Sequence, residues 1–288
     1  MAQTVGVAME KEHPNEGGNS MKLNIMTYNI ASGRYYHNDE DISPYGSSKV
    51  VDLSKCGDVI KEIAPDFCGL NEINCYEQSF LDKHIPKGTE ADQTAFLAKY
   101  TGLSHGYFGK AIEFANRGPY GNAVISKYPV LEAETIGIPD PEIKDETRYY
   151  ETRGIAKVKL DIAGGITVLQ VHVGLAIAES QNAVLALCKV IDETEGPIIL
   201  MGDFNMCPSN FLLDRIKERL QEVRPVEEGY HHTFPSWTHD DNLPEQMKNH
   251  PYCKIDYIFA SHHFKQLDCK VHHVRVSDHM PLLATLEL

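Results

Sequence analysis

The sequence predicts an α/β protein built as a layered sandwich of antiparallel or mixed sheets. Three observations predict it. Apolar and β-branched runs of strand length outnumber helical segments, several successive runs are joined by short turns, and helices fall between some of them. A doubly wound parallel sheet fits this order poorly, and no Gly-x-Gly-x-x-Gly or Walker-type loop occurs. At 288 residues the chain can bury one large core, and beyond its N-terminus no composition shift or repeat divides it.

Residues 1–20 are polar and lack hydrophobic periodicity, so they are expected to form a disordered leader, with residues 21–288 as the domain. They contain no apolar core of signal-peptide length, and no run in the chain approaches a membrane span. Residues 22–30 then read as a strand carrying Asn29 at its end. A polar, tyrosine-rich stretch follows over 32–48. Residues 50–63 show helical spacing that Pro65 stops, and 66–70 form a short strand leading into Asn71-Glu72. A second helix is expected over 90–100. Strands at 105–109 and 121–126 are separated by polar residues 116–120, and 130–138 is another extended run. After an acidic loop over 139–151, residues 153–162 and 166–173 alternate and join through Ala163-Gly164-Gly165 as a hairpin whose second arm carries His172.

The clearest helix is 179–193, with Ala183, Val184, Leu187, Val190 and Ile191 at helical spacing. It feeds Ile198-Ile199-Leu200-Met201, a buried strand that delivers Gly202-Asp203-Phe204-Asn205. On an extended chain Asp203 and Asn205 share one side and Phe204 takes the other. A helix over 209–220 capped by Ser209 is expected next, then a long loop over 224–252 holding the only tryptophan, Trp237. Three strands close the chain at 254–260, 269–276 and 281–288, with Ser277-Asp278-His279 between the last two.

Composition narrows the chemistry. The formal charge is −14, from 27 Lys and Arg against 41 Asp and Glu, which disfavours a nucleic-acid partner. Seven scattered cysteines form no Cys-x-x-Cys pair, so free thiols in a cytoplasmic setting are expected. Asn29, Glu72, His172, Asp203, Asn205, Asp256, Asp278 and His279 all sit at ends of apolar runs, and strand ends on one edge of a sheet converge. Oxygen donors without thiolates suit a hard cation such as Mg²⁺ or Mn²⁺, and histidines beside carboxylates suit proton transfer and binding of an anion.

The motifs Thr27-Tyr28-Asn29, Asn71-Glu72, Tyr120-Gly121-Asn122-Ala123, Val171-His172-Val173, Gly202-Asp203-Phe204-Asn205, Lys254-Ile255-Asp256-Tyr257 and Ser277-Asp278-His279 occur in this order. Together they resemble the endonuclease/exonuclease/phosphatase superfamily, from about Leu23 to Leu288. The resemblance implies a four-layer α/β sandwich of the DNase I type, two packed mixed or antiparallel sheets flanked by helices, with a divalent-metal phosphoesterase site at one edge. It implies Glu72 as principal metal ligand, with Asn29 and Asp278 beside it. Asp203 would activate the attacking water, Asn205 bind a phosphoryl oxygen, and His279 touch the phosphate while Asp256 holds it. His172 would act as an acid or phosphate ligand. Two departures stand out: Asn71 replaces the family's usual Gln, and Val-His-Val replaces Thr-His-Leu.

Asn122, Arg117 and Trp237 are expected to contact substrate, and Arg153 to serve as an internal ion-pair partner. The loops flanking the site, at 32–48, 116–120, 139–151 and 233–252, carry many carboxylates, tyrosines and few cations, so an acidic wall is expected. The implied activity is Mg²⁺-dependent hydrolysis of a small phosphate ester or phosphodiester, of sugar-phosphate or headgroup type. A DNase I-like or exonuclease III-like nuclease is the alternative, and a non-catalytic binding protein on the same fold comes third.

Overall fold

The structure, a computed structural model, describes residues 20–43, 47–85, 90–145, 147, 149–225, 227, 229, 231–238, 243, 247 and 250–288. The leader expected over 1–20 lies outside these except for Ser20, as do Glu146, Asp240, Asp241 and Glu245 of the expected acidic wall.

Twelve strands and five α-helices are described. The first half contains β1 (Lys22–Asn29), α1 (Leu53–Ile63), β2 (Phe67–Asn74), α2 (Gln78–His84), α3 (Gln93–Thr101), β3 (His105–Phe114) and β4 (Gly118–Ser126). The second contains β5 (Val130–Gly137), β6 (Gly154–Leu160), β7 (Ile166–His172), α4 (Ile177–Asp192), β8 (Ile198–Asp203), α5 (Leu212–Lys217), β9 (Gln221–Glu222), β10 (Asp256–Ala260), β11 (Lys265–Val271) and β12 (Leu282–Glu287). They form two six-stranded sheets, ordered β11-β12-β1-β2-β4-β3 and β5-β6-β7-β8-β10-β9. Each sheet has one parallel pair near its centre, β1 with β2 and β7 with β8, among antiparallel neighbours. The expected mixed sandwich is therefore the fold.

Three apolar clusters account for four layers. Leu23, Ile25, Phe67, Val158, Val168, Ile199 and Ile258 fill the space between the sheets. Met26, Tyr28, Cys68 and Leu70 on the other face of the first sheet meet Leu53, Ile60 and Leu97 of α1 and α3. Leu169, Leu200 and Phe259 on the outer face of the second sheet meet Val184, Leu187 and Leu213 of α4 and α5. Each such side chain contributes roughly 1.5–3 kcal/mol when fully buried, enough to hold the sheets rigid while their shared edge carries polar groups.

Differences from the expected elements have local causes. The α1 helix starts at Leu53 because the Asp52 side chain accepts from Ser54 N and caps it there. Helix α5 is shorter than 209–220 and is not capped by Ser209; Asn210 Oδ1 accepts from Leu212 N instead. Strand β11 lies earlier than 269–276, because its partners on β12 run from Lys265↔Glu287 to Val271↔Leu282. Residues 272–281 are thereby freed to carry Asp278 and His279 to the sheet edge. The all-thiol expectation is also corrected: Cys207 and Cys253 form a disulfide, Cα atoms 5.9 Å apart, joining the segment after β8 to the lead into β10. Five other cysteines are free. Among the described residues no helix is long and apolar enough to cross a membrane.

Candidate active site

Strand register sets the site. Asn29 lies beside Asn71 in the parallel β1–β2 pair, and His172 beside Asp203 in the parallel β7–β8 pair. Asp256 opposes Asp203 across β8 and β10. These ends of the two sheets meet at one edge of the sandwich, with the 272–281 loop over them. Between Leu70 and Ile73 the β2–β4 register slips, and Glu72 takes a left-handed φ of 60°. A bulge of this kind re-aims a side chain, here into the cleft. Asn205 also has a left-handed φ, 51°, just past β8. Such backbone is costly for residues other than glycine and is concentrated at functional sites. The Gly202 of the same motif has a packing reason, since a Cβ there would collide with the Val171 carbonyl of β7.

Behind the site, a buried polar network stitches the sheets together. Asn71 Nδ2 donates to Asn122 Oδ1 and to Val171 O, both at 2.8 Å. Its Oδ1 accepts from Gln170 Nε2 at 2.9 Å and from Asp203 N at 3.1 Å. Asn122 Nδ2 in turn donates to Gly154 O at 3.0 Å. Asn122, expected to contact substrate, is thus 2% exposed and spends its amide between the sheets.

Asp203 is the hub of the front face. Its Oδ1 accepts from Asn205 N at 2.9 Å. Its Oδ2 faces Asn29 Nδ2 at 3.0 Å, His172 Nε2 at 3.4 Å and His279 Nε2 at 3.5 Å. Asn205 Nδ2 donates to Val173 O at 2.8 Å, which fixes the amide and leaves its second N–H for another acceptor. Burial pushes the Asp203 carboxyl up to about 6, with His279 pulling the other way.

The two histidines are held in opposite states. Arg153 Nη1 lies 2.8 Å from His172 Nδ1 and 2.6 Å from Glu151 Oε1. A guanidinium only donates, so Nδ1 accepts and the His172 proton sits on Nε2. Burial, then the Arg153 charge, holds the His172 pKa well below its ordinary value. For His279, Nδ1 lies 2.9 Å from Asp256 Oδ2. Burial would lower its pKa, but Asp256 and Asp203 outweigh that and raise it to about 10.

The donor set suits a divalent cation. Burial and the neighbouring charge of Asp278 push Glu72 up to about 7, a carboxylate crowded by negative charge that a cation would relieve. Glu72 and Asp278 both face the cleft and offer hard oxygen donors. Asp203, Asp256 and His279 also bring ligand atoms within 4.8 Å of one another. In that group the imidazole already spans the two carboxylates with its two nitrogens, so Glu72 and Asp278 are the better pair. Asn29, expected beside the metal, turns its amide nitrogen toward the carboxylates. Its Oδ1 accepts from Ala31 N at 3.0 Å, so the Nδ2 donor, not the oxygen, faces Glu72 (3.2 Å) and Asp203.

All of this opens into a cleft of about 800 Å³ lined by Glu72, His172, Asp203, Asn205, Asp278 and His279. Asn29 and Asp256 stand behind these. Among the flanking residues, Arg117 lines the cleft, while Trp237 does not. Trp237 is 3% exposed, stacks on Tyr36 and donates from Nε1 to Met247 O at 3.2 Å. Phe234 takes the expected position instead, its ring 4.9 Å from that of His279. The acidic wall is corrected as well. Of the described carboxylates in those four flanking loops only Glu151 lines the cleft, alongside Arg34, Arg117, Arg153, Phe80, Phe114, Tyr120 and Tyr149. The Arg153 contact with His172 follows from the β6–β7 register, which sets Ile155 opposite Val171.

The sequence profile of the endonuclease/exonuclease/phosphatase family matches residues 26–279. The chain belongs to this family. Members of the endonuclease/exonuclease/phosphatase family are generally hydrolases of phosphoesters. Among solved structures, a family member from Beutenbergia cavernae DSM 12333 is similar at 22% identity and TM-score 0.69, over 93% of this chain and 72% of that one. A mannosyl-6-phosphatase from Bacteroides thetaiotaomicron VPI-5482 is similar at 15% identity and TM-score 0.64, over 92% and 99%. ANGEL2, a 2',3'-cyclic phosphatase in complex with adenosine-2',3'-vanadate, is similar at 16% identity and TM-score 0.60, over 94% and 96%. At these identities the likeness is one of fold. No protein with a curated description matches the sequence.

Proposed function

We propose that residues 21–288 form one catalytic unit, a divalent-metal-dependent phosphoesterase that hydrolyses a small phosphate ester by in-line attack of water. The observation that carries this reading is the convergence on Asp203 of donors from three separate elements, beside Glu72 on its bulge. Mg²⁺ or Mn²⁺ held by Glu72 with Asp278 would supply neutralisation of the phosphoryl oxygens and of the leaving oxygen. Asn29 holds Glu72 and Asp203 at a fixed separation through its one amide nitrogen.

Asp203 orients the water and takes its proton. Its own orientation is preset by Asn205 N and Asn29 Nδ2, so no reorganisation is needed at the moment of attack. His279, kept cationic by Asp256, places N–H and charge against the phosphoryl oxygens. His172 donates from Nε2 and does not accept there, so it acts as a fixed hydrogen-bond donor to a phosphoryl or leaving oxygen. The free N–H of Asn205 serves a second oxygen.

Small phosphomonoesters, phosphodiesters, sphingomyelin and plasmid DNA, assayed with Mg²⁺ and again with EDTA, test the reading. Hydrolysis of a small ester that vanishes with EDTA and returns with Mg²⁺ or Mn²⁺ is expected. Full activity in chelator would contradict it. Efficient DNA cleavage that falls steeply as salt rises would favour the nuclease instead.

A further inference from the structure

The hydrolase reading uses only one end of the cleft. At the other, Arg117 follows β3 with its guanidinium carbon 5.3 Å from the ring centre of Phe114. It lies 5.7 Å from Tyr120 and 5.9 Å from Tyr76. These are cation–π distances, and three ring faces fix the guanidinium before anything binds. Arg117 Nε is buried without a hydrogen-bond partner. No described carboxylate forms an ion pair with Arg117, because Glu151, the acid of this wall, is taken by Arg153 at 2.6 Å. Arg34 lines the same cleft, tethered by Nη1 to Ser48 O at 2.8 Å, and it too has no ion pair among the described residues.

The two ends are close enough to serve one compact molecule. Glu72, Arg34, Arg117 and Tyr120 all line the one cleft of about 800 Å³. With a phosphoryl group at the Glu72 end, the other end of the cleft presents two cations that no described carboxylate pairs with. A planar, pre-oriented guanidinium suits the paired oxygens of a phosphate or a carboxylate.

Resting on the proposed hydrolysis, we propose that Arg117, with Arg34, forms a subsite for a second anionic group. The preferred substrate class is then a compact phosphate ester that carries a further phosphate or a carboxylate.

Two measurements test this, one of them without turnover. In EDTA, inorganic phosphate titrated by ³¹P NMR is expected to bind wild-type protein and to lose roughly ten-fold or more in affinity in Arg117→Gln. With Mg²⁺, fructose 1,6-bisphosphate and 6-phosphogluconate are compared with fructose 6-phosphate. At least one of the first two should have the higher kcat/KM, and Arg117→Gln should reduce that preference roughly ten- to hundred-fold, mostly through KM. Arg117→Lys should retain part of it. A preference for the bisphosphate assigns the second group as phosphate, and one for 6-phosphogluconate assigns it as carboxylate. Equal handling of all three esters, or a preference that survives Arg117→Gln, would overturn the subsite. If the wider ester panel also shows no hydrolysis with Mg²⁺, yet phosphate binding in EDTA depends on Arg117, the hydrolase reading falls and the anion subsite stands.

Discussion

On one side of Asp203 stands His172, backed at Nδ1 by the Arg153 guanidinium; on the other stands His279, backed at Nδ1 by the Asp256 carboxylate. Both rings are about 5% exposed and both point Nε2 at the same oxygen, so burial does not distinguish them. The charge behind the ring does. A carboxylate accepts from Nδ1 and stabilises an imidazolium, whereas a guanidinium donates to Nδ1 and penalises one. Side chains of one residue type thus become a fixed cation and a fixed neutral donor within one cleft. The lesson is that a histidine's chemistry is read from its far nitrogen, which the Val-His-Val and Ser-Asp-His motifs do not reveal.

The largest effect is expected where the two corners meet. Asp203→Asn should reduce kcat by about 10²–10⁴ while substrate affinity changes little. Unaltered turnover would remove the carboxylate from the reaction and the comparison with it. Next come the backing residues, and they should not be equivalent. Asp256→Asn takes the carboxylate charge from behind His279 and should cost about 10²–10³ in kcat, the scale for losing one preorganised stabiliser. Arg153→Gln leaves His172 neutral and should cost roughly ten-fold. Steady-state kinetics of the two variants side by side decide this, and the reverse order would break the assignment.

A smaller effect separates the corners by pH. The unfolded chain protonates His172 near ~6.5, but the folded protein resists doing so. Below that pH the unfolded state binds the extra proton, so the His172 contribution makes stability rise with pH up to about 6.5 and level off above. Urea denaturation from pH 5 to 8 should show His172→Gln flattening that part of the profile. An unchanged slope would mean that His172 titrates normally in the fold. The smallest effect on activity belongs to the network behind both corners. Asn122→Ala strands the Asn71 donor and the Gly154 carbonyl, and thermal denaturation should register a loss of about 1–3 kcal/mol.

Much of this molecule is legible in its sequence because its strands are short, apolar and punctuated by chemistry. The run 198–201 had to be buried, and it delivers Asp203 where the sheet ends. What was hidden depended on partners distant in the chain. The bulge that turns Glu72 into the cleft is a register slip against β4, and nothing within Asn71-Glu72 announces it. Trp237 looked like a wall residue because it sits in a long polar loop, yet Tyr36, far away in sequence, provides a burial site for it. The acidic loops misled for a related reason. Asp39 pairs with Arg275 at 2.6 Å and Asp140 with Lys144 at 2.9 Å, both outside the cleft, and the arginines are left to line it.

The central claim, that this edge of the sandwich holds a divalent cation on Glu72, is tested most directly by titrating Mn²⁺ into the protein in a calorimeter, with no substrate present. Wild-type protein is expected to bind Mn²⁺ at a site that EDTA strips, Glu72→Ala to lose most of that affinity, and Asp203→Asn to keep it. Binding by Glu72→Ala as tight as by wild type, or no binding by either, would contradict the account.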